Sequence, residues 1–196
     1  MLEPTPAVVL KFDPNVMHHG GLGVIRSLGR LGVPVYGVHE GPWAPAASSR
    51  YLRGRFFWQP DPDEGERVRA GLLRLSERIG QPAVLVPTDD AGSIFLAEHG
   101  DGLREHFLFP APPRDLPRRV AGKYSLHELC REVGMPSVQA AVPESLEAAR
   151  AFAADAGFPP AKYPISTFYP NAGQTFPTRR SMPDSNWVFF IWDCGR

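Results

Sequence analysis

Residues 7–38, AVVLKFDPNVMHHGGLGVIRSLGRLGVPVYGV, hold the succession that decides the fold. Val8-Val9-Leu10 is a short β-branched apolar run, Asp13-Pro14-Asn15 breaks it, and Gly20-Gly21-Leu22-Gly23 reads as a glycine-rich loop. From Leu22 onward Ile25, Leu28 and Leu31 recur at helical spacing. Gly32 stands where a left-handed C-terminal cap belongs, and Val33, Val35 and Val38 return to strand composition. This is a βαβ unit. The intervening helix leaves just enough chain to climb back along a sheet, so the two strands are expected to be parallel with a right-handed crossover.

The alternation continues outward. After a proline-broken loop over residues 41–49, Tyr51-Leu52-Arg53-Gly54-Arg55-Phe56-Phe57-Trp58 reads as a short strand flanked by solvated arginines. Asp61, with Glu64 three positions on, is the expected N-cap of a helix whose buried face carries Val68, Leu72, Leu75 and Ile79. Gly80-Gln81-Pro82 stops that helix. Ala83-Val84-Leu85-Val86 follows as a continuous apolar run, the pattern of a strand covered on both faces. Pro87-Thr88-Asp89-Asp90 falls at its carboxyl end, where open α/β sheets bind ligands, and a short helix is expected over residues 94–98.

Phe109-Pro110-Ala111-Pro112-Pro113 reads as a rigid connector and a boundary. Beyond it a helix is expected over residues 123–133, with Leu126, Leu129, Cys130 and Val133 inward and Gly134 and Pro136 ending it. A short strand over 138–142 follows. Ser145 then caps a helix that carries Leu146, Ala149, Phe152 and Ala156 and ends at Gly157. After Gly157, prolines 159, 160, 164, 170, 177 and 183 interrupt every window, although aromatic residues stay plentiful. No regular core element is expected there, and the stretch reads as sequence not selected to fold.

Composition narrows the function classes. The 196 residues carry 21 Lys+Arg against 21 Asp+Glu, so the electrostatic footprint that nucleic acid demands is missing and nucleic acid is not expected as a ligand. Two cysteines, Cys130 and Cys194, form neither a disulfide framework nor a Cys-rich zinc site, which makes a reducing cytoplasm the expected compartment. No apolar run is long enough to span a membrane, and the first residues lack a signal-peptide pattern. His18-His19 has no third ligand at helical spacing, so no metal site is expected from it. Cys130, on an apolar helix face, reads as a small buried hydrophobe.

Three groups of residues invite a chemical reading. The glycines Gly20, Gly21 and Gly23 before a helix would let backbone N–H groups approach an anion, and Glu40 lies at a ribose-binding distance along the chain. The dinucleotide fingerprint, however, has Arg26 where its third glycine belongs, and residues 11–19 separate strand from loop. Thr88, Asp89 and Asp90 sit at a strand end, where the aspartates either orient an amine or cation or serve as helix caps. Arg50, Arg53 and Arg55 flank a short strand and could meet an anion on a small substrate.

Taken in order, Gly20-Gly21-Leu22-Gly23-Val24-Ile25-Arg26-Ser27-Leu28, Val33-Pro34-Val35-Tyr36-Gly37-Val38 and Val84-Leu85-Val86-Pro87-Thr88-Asp89-Asp90 resemble the opening domain of ATP-grasp carboxylate–amine ligases. Lys123 to Pro136, a helix that begins with lysine and ends in a Gly-x-Pro stop, resembles the linker helix of that family. Ala156-Gly157-Phe158-Pro159 resembles the entry to its small ATP-binding lobe. The resemblance covers about residues 7–159. It implies an α/β fold: a Rossmann-like pre-ATP-grasp parallel sheet with flanking helices over residues 1–113, a linker helix and an incomplete ATP-grasp lobe over 114–160, and an irregular tail over 161–196.

For function the resemblance implies ATP and Mg²⁺ as cofactors, and a small carboxylate and an amine as substrates. ATP would phosphorylate the acid, and the amine would then attack the acyl phosphate to give an amide. It implies ATP contacts from Lys123 and Lys162, the latter reached through Pro159-Pro160-Ala161 where the family has an apolar run. Substrate contacts fall to Gly20, Gly21, Gly23, Thr88, Asp89 and Asp90. The adenine hinge and Mg²⁺ ligands of the family are missing from the sequence, which reads as a truncated or frame-shifted product expected not to catalyse ligation by itself. A homodimer is left open. Two other readings stand beside it: a small-ligand binding module without catalysis, and an NAD-dependent oxidoreductase.

Overall fold

The structure, a computed structural model, describes residues 4–15, 19–137 and 139–155 and the backbone of Phe189–Phe190. The chain divides into two compact units, Met1–Arg118 and Arg119–Arg196. In the first unit the expected βα alternation is present. β1 (Ala7–Leu10) leads to α1 (Gly20–Arg30), β2 (Val35–His39), β3 (Leu52–Phe57), α2 (Gly65–Ile79), β4 (Ala83–Pro87), α3 (Asp90–His99) and β5 (Phe107–Leu108). The strands form one parallel sheet in the order β3-β2-β1-β4-β5. The parallel α/β architecture read from the sequence is therefore the architecture found.

Strand alternation distributes the core. Val9 and Val35 pack against Ile25 of α1 on one face. Val8, Leu10, Val38 and Leu85 meet Val68, Leu72 and Leu75 of α2 and Phe95 and Leu96 of α3 on the other. Handedness is the reason. The chain moves one way from β1 to β2 through α1 and the opposite way through α2 and α3, and right-handed crossovers in opposite directions put helices on opposite faces. The two directions part at β1 and β4, which lie side by side. A switch point of this kind opens a crevice at the carboxyl ends of its strands.

Several local expectations are corrected. Gly20 to Gly23 are the first turn of α1, not a loop ahead of it, because the chain already turns helical at Gly20. Asp61 caps no helix. Its Oδ1 accepts from Asp63 N at 3.0 Å in a turn, and α2 starts at Gly65 with Glu64 in the cap position. The helix after β4 is longer than residues 94–98 because Asp89 nucleates it at Asp90. β4 is not covered on both faces. Leu85 is buried, whereas Val84, which shares a face with its register partner Ala7, is 38% exposed. β5, only two residues long, precedes the proline connector and carried no periodic signal. At the C-terminus of α2 the expectation holds: Gly80 adopts φ 75°, a left-handed cap that a side chain would strain.

In the second unit α4 (Leu116–Ala121) straddles the boundary, followed by α5 (Lys123–Glu132), β6 (Ala140–Ala141) and α6 (Leu146–Asp155). Ser145 caps α6 as expected, its Oγ accepting from Ala148 N at 3.1 Å. Leu126, Leu129 and Cys130 are half-buried rather than fully inward, and Val133 and Leu146 are exposed. Among the described residues of α6 only Ala149 is buried. Contrary to the expectation of no regular element in the tail, Phe189–Phe190 form β7, antiparallel to β6. The rest of the tail, Lys162 included, lies outside the described residues. Leu72 is fully buried and Leu31 is 79% exposed. Leu72→Ala is expected to lower unfolding free energy by about 2–5 kcal/mol in urea titration, and Leu31→Ala to leave it within about 0.5 kcal/mol.

Candidate functional site

The residues just past the strand ends build the crevice. β1 ends in Leu10 and runs into Lys11-Phe12-Asp13, β2 ends in His39 and runs into Glu40, and β4 ends in Pro87 and runs into Thr88-Asp89. Adjacent parallel strands sit about 4.8 Å apart, so residues just beyond their ends become neighbours whatever their separation in sequence.

Asp89 holds this end of the sheet together. One carboxylate oxygen, Oδ2, accepts from Phe12 N at 2.6 Å and Asp13 N at 2.8 Å, and the other, Oδ1, accepts from Gly92 N at 2.8 Å. It is the N-cap of α3 and, in the same stroke, the clamp on the chain leaving β1. Thr88 adds a second tie. Its backbone N–H and its hydroxyl both donate to the Leu10 carbonyl, at 3.0 and 3.1 Å. Asp90 is exposed in the first turn of α3.

Opposite lies the start of α1. Its cap residue, His19, makes no side-chain cap hydrogen bond, and no acidic residue sits in its first turn. Gly23 N donates to the His19 carbonyl at 3.1 Å, and the earlier N–H groups of the turn, which have no intrahelical acceptor, stand at the positive end of the helix dipole. Gly21 is buried against the sheet. A Cβ there would lie 3.4 Å from Val9 Cγ1 and 3.7 Å from Thr88 Oγ1. Gly21 thus packs close to Thr88, which brings the first turn of α1 to the switch point. Gly20 is exposed at the very start of the helix, and Gly23 is exposed with open space beside it.

Beside Gly21 is a small polar cluster that the sequence reading did not assemble. Lys11 Nζ lies 3.0 Å from Glu40 Oε2 and donates to the Asn15 carbonyl at 2.9 Å, with the two charged side chains only 11% and 14% exposed. Glu40 Oε1 and His39 Nε2 are buried without a hydrogen-bond partner among the described residues. Together with Gly21, Val38 and Ala44 these groups line a cavity of about 10 Å³, room for roughly one water. Burial pushes the His39 imidazole down to about 4, against the smaller opposing pull of Glu40. The ring fits because residue 37 has no side chain: a Cβ on Gly37 would sit 2.4 Å from His39 Nε2. A signal for the ion pair was present, since a lysine and a glutamate follow the ends of two strands read as a parallel pair.

The remaining sequence candidates fall elsewhere. Lys123 is exposed as the first residue of α5 in the second unit, after a Gly122 cap with no side-chain bond. Arg50 stacks 5.0 Å over the Tyr51 ring and donates to its hydroxyl at 3.0 Å, while Arg55 donates to the carbonyls of Ala47 and Ser49. Glu40, the candidate ribose contact, has one oxygen committed to Lys11. Among the described residues no group of three or more His, Cys, Asp or Glu could hold a metal ion. No described helix is long and apolar enough to cross a membrane.

No protein-family model and no curated protein matches the chain. Solved structures do. An ADP complex of PurK, N5-carboxyaminoimidazole ribonucleotide synthetase, aligns with a TM-score of 0.52 at 11% identity, over 79% of this chain and 36% of that one. L-amino acid ligase from Bacillus licheniformis aligns with a TM-score of 0.51 at 12% identity, over 98% of this chain and 40% of that one. At these identities the likeness is one of fold. The chain spans about two fifths or less of the length of these structures.

Two measurements probe the site. Asp89→Ala orphans three backbone donors and is expected to lower unfolding free energy by about 2–4 kcal/mol, read by urea titration. For His39 the unfolded chain takes up a proton near 6.5 while the folded chain resists until about 4. Stability is therefore complete above 6.5 and falls as pH drops through that window. Replacing it in His39→Leu should flatten the fall in urea midpoint between about pH 7.5 and pH 5 relative to wild type.

Proposed function

We propose that this chain, whose fold is similar to part of the ATP-grasp enzymes it aligns with, forms the substrate-side lobe of an ATP-dependent carboxylate–amine ligase. The small carboxylate would be held at the switch point between β1 and β4. One observation carries the reading: Gly21, in the first turn of an α1 whose cap residue makes no side-chain cap hydrogen bond, packs close to Thr88 at the end of β4, which sets the start of the helix at the switch point. Backbone N–H groups at a helix start bind a carboxylate with charge-assisted hydrogen bonds and need no side chain to do so. Thr88 spends its hydroxyl proton on Leu10 and keeps lone pairs for a ligand donor.

Asp89, by contrast, acts through the backbone. Its carboxylate oxygens hold the crevice wall, so its part in substrate binding is positioning. ATP, when bound, supplies the phosphoryl group that activates the carboxylate for attack by an amine. Lys123, by resemblance, is the residue of this chain that touches the nucleotide, and its place at a helix start suits an anionic group. Among the described residues no group of carboxylates forms a ligand set for Mg²⁺. A binding module without catalysis would use the same crevice. The two readings part on turnover, and binding rather than ligation is what we assign to these 196 residues by themselves.

Calorimetric titration with small carboxylates and, separately, with ATP tests the reading. Gly21→Ala adds a methyl that makes only ordinary contacts with Val9 and Thr88. It should keep the urea midpoint while weakening carboxylate binding about tenfold, the cost of about 1.4 kcal/mol of misplaced contact. Lys123→Ala should weaken ATP and leave the acid unaffected. Carboxylate affinity unchanged in Gly21→Ala would contradict the assignment of the crevice, and amide formation coupled to ADP release by the isolated chain would contradict the division between binding and turnover.

A further inference from the structure

A second hollow lies away from the crevice. It is a groove of about 590 Å³ beside β3, lined by Arg55, Phe57 and Trp58 and by Arg74, Glu77 and Arg78 of α2. β3 is the last strand of the sheet: one edge pairs with β2, and no described strand lies against the other. Its outer N–H and C=O groups are a template for another extended chain. α2 runs beside this edge and comes close to it, since a Cβ on Gly71 would lie 2.6 Å from the Trp58 indole. A strand edge with a helix beside it is a geometry that admits a further strand along the edge, next to the helix.

Charge selects the occupant. Three arginines line the groove against one glutamate. No ion pair or hydrogen bond among the described residues engages Arg74 or Arg78, while Arg67 and Arg69, earlier in α2, are each paired with a glutamate. The Arg55 guanidinium is held by the Ala47 and Ser49 carbonyls, so the uncommitted charges at the groove are those of Arg74 and Arg78. Phe57 is 53% exposed at the groove wall. A second copy of this chain is disfavoured, because pairing β3 with itself sets an arginine-rich edge against its like.

We propose that the groove between β3 and α2 receives an extended acidic segment of a partner protein, added as a further strand on the free edge of the sheet. Main-chain hydrogen bonds to β3 supply the register, and Arg74 and Arg78 select glutamate or aspartate side chains. This surface is separate from the carboxylate crevice and does not depend on the ligase reading. An edge whose arginines serve only to discourage aggregation is the competing account.

Fluorescence anisotropy with the full chain separates them, using a labelled peptide of alternating glutamate and valine, its lysine–valine counterpart, and the acidic peptide N-methylated at alternate residues. The proposal expects the acidic peptide to bind, the basic one not to, and N-methylation to abolish binding by removing the ladder donors. The double variant Arg74→Glu/Arg78→Glu should weaken the acidic peptide at least about tenfold. Neither arginine is buried, so its urea midpoint should match wild type; if it does not, Arg74→Gln/Arg78→Gln replaces it with the same expectation. No binding of the acidic peptide, equal binding of acidic and basic peptides, or affinity untouched by charge reversal or N-methylation overturns the proposal. So does sedimentation showing that the groove is filled by self-association.

Discussion

The arrangement rests on one carboxylate. Asp89 receives the N–H groups of Phe12, Asp13 and Gly92, which joins the chain leaving β1 to the helix leaving β4. Parallel neighbours at a switch point send their following segments in opposite directions, and nothing in the sheet ladder itself keeps the gap between them at a fixed width. A charged acceptor shared by both exits does so, and three charge-assisted hydrogen bonds in a half-buried place are strong enough to matter to the whole domain. The width of the crevice, and the distance from Thr88 to the first turn of α1, depend on it.

A second polar feature sits on the other side of β1. The Lys11–Glu40 pair is largely removed from water, and losing either partner would leave a buried charge, so its retention sets a constraint that hydrophobic packing alone would not. His39 is neutral beside it because burial outweighs the neighbouring carboxylate. The resulting cluster brackets α1: Thr88 on one side of Gly21, the ion pair on the other. Both lie in the same unit. The nucleotide-side residue proposed from resemblance, Lys123, belongs to the second unit.

Much of this was legible in the sequence. The apolar runs around Val8, Val35 and Leu85, the helical spacing of Val68, Leu72 and Leu75, and the caps at Gly32 and Gly80 led to a parallel α/β sheet with Thr88 and Asp89 at its carboxyl end. The failures share a cause: they depend on what packs across the chain, which local pattern does not carry. Gly20 to Gly23 read as a loop because glycine disfavours helix, yet the chain is helical from Gly20 on, with Gly21 buried beside Val9 and Thr88. Val84 read as doubly covered because its run is unbroken, yet one face there stays open. β5 and β7 are two residues each, too short for any period to register. Whether Asp89 caps a helix or meets a ligand was open in the sequence, and two of the backbone N–H groups that converge on it come from residues 77 and 76 positions away.

The crevice between β1 and β4 is the site proposed for a small carboxylate. Amide chemical shifts of the ¹⁵N-labelled chain, followed while succinate or L-alanine is added, test it most directly. Saturable shifts concentrated at Gly20, Gly21, Leu22 and Thr88 are the predicted result. Saturable shifts that leave those four amides still, or no saturable shifts at all, would contradict it.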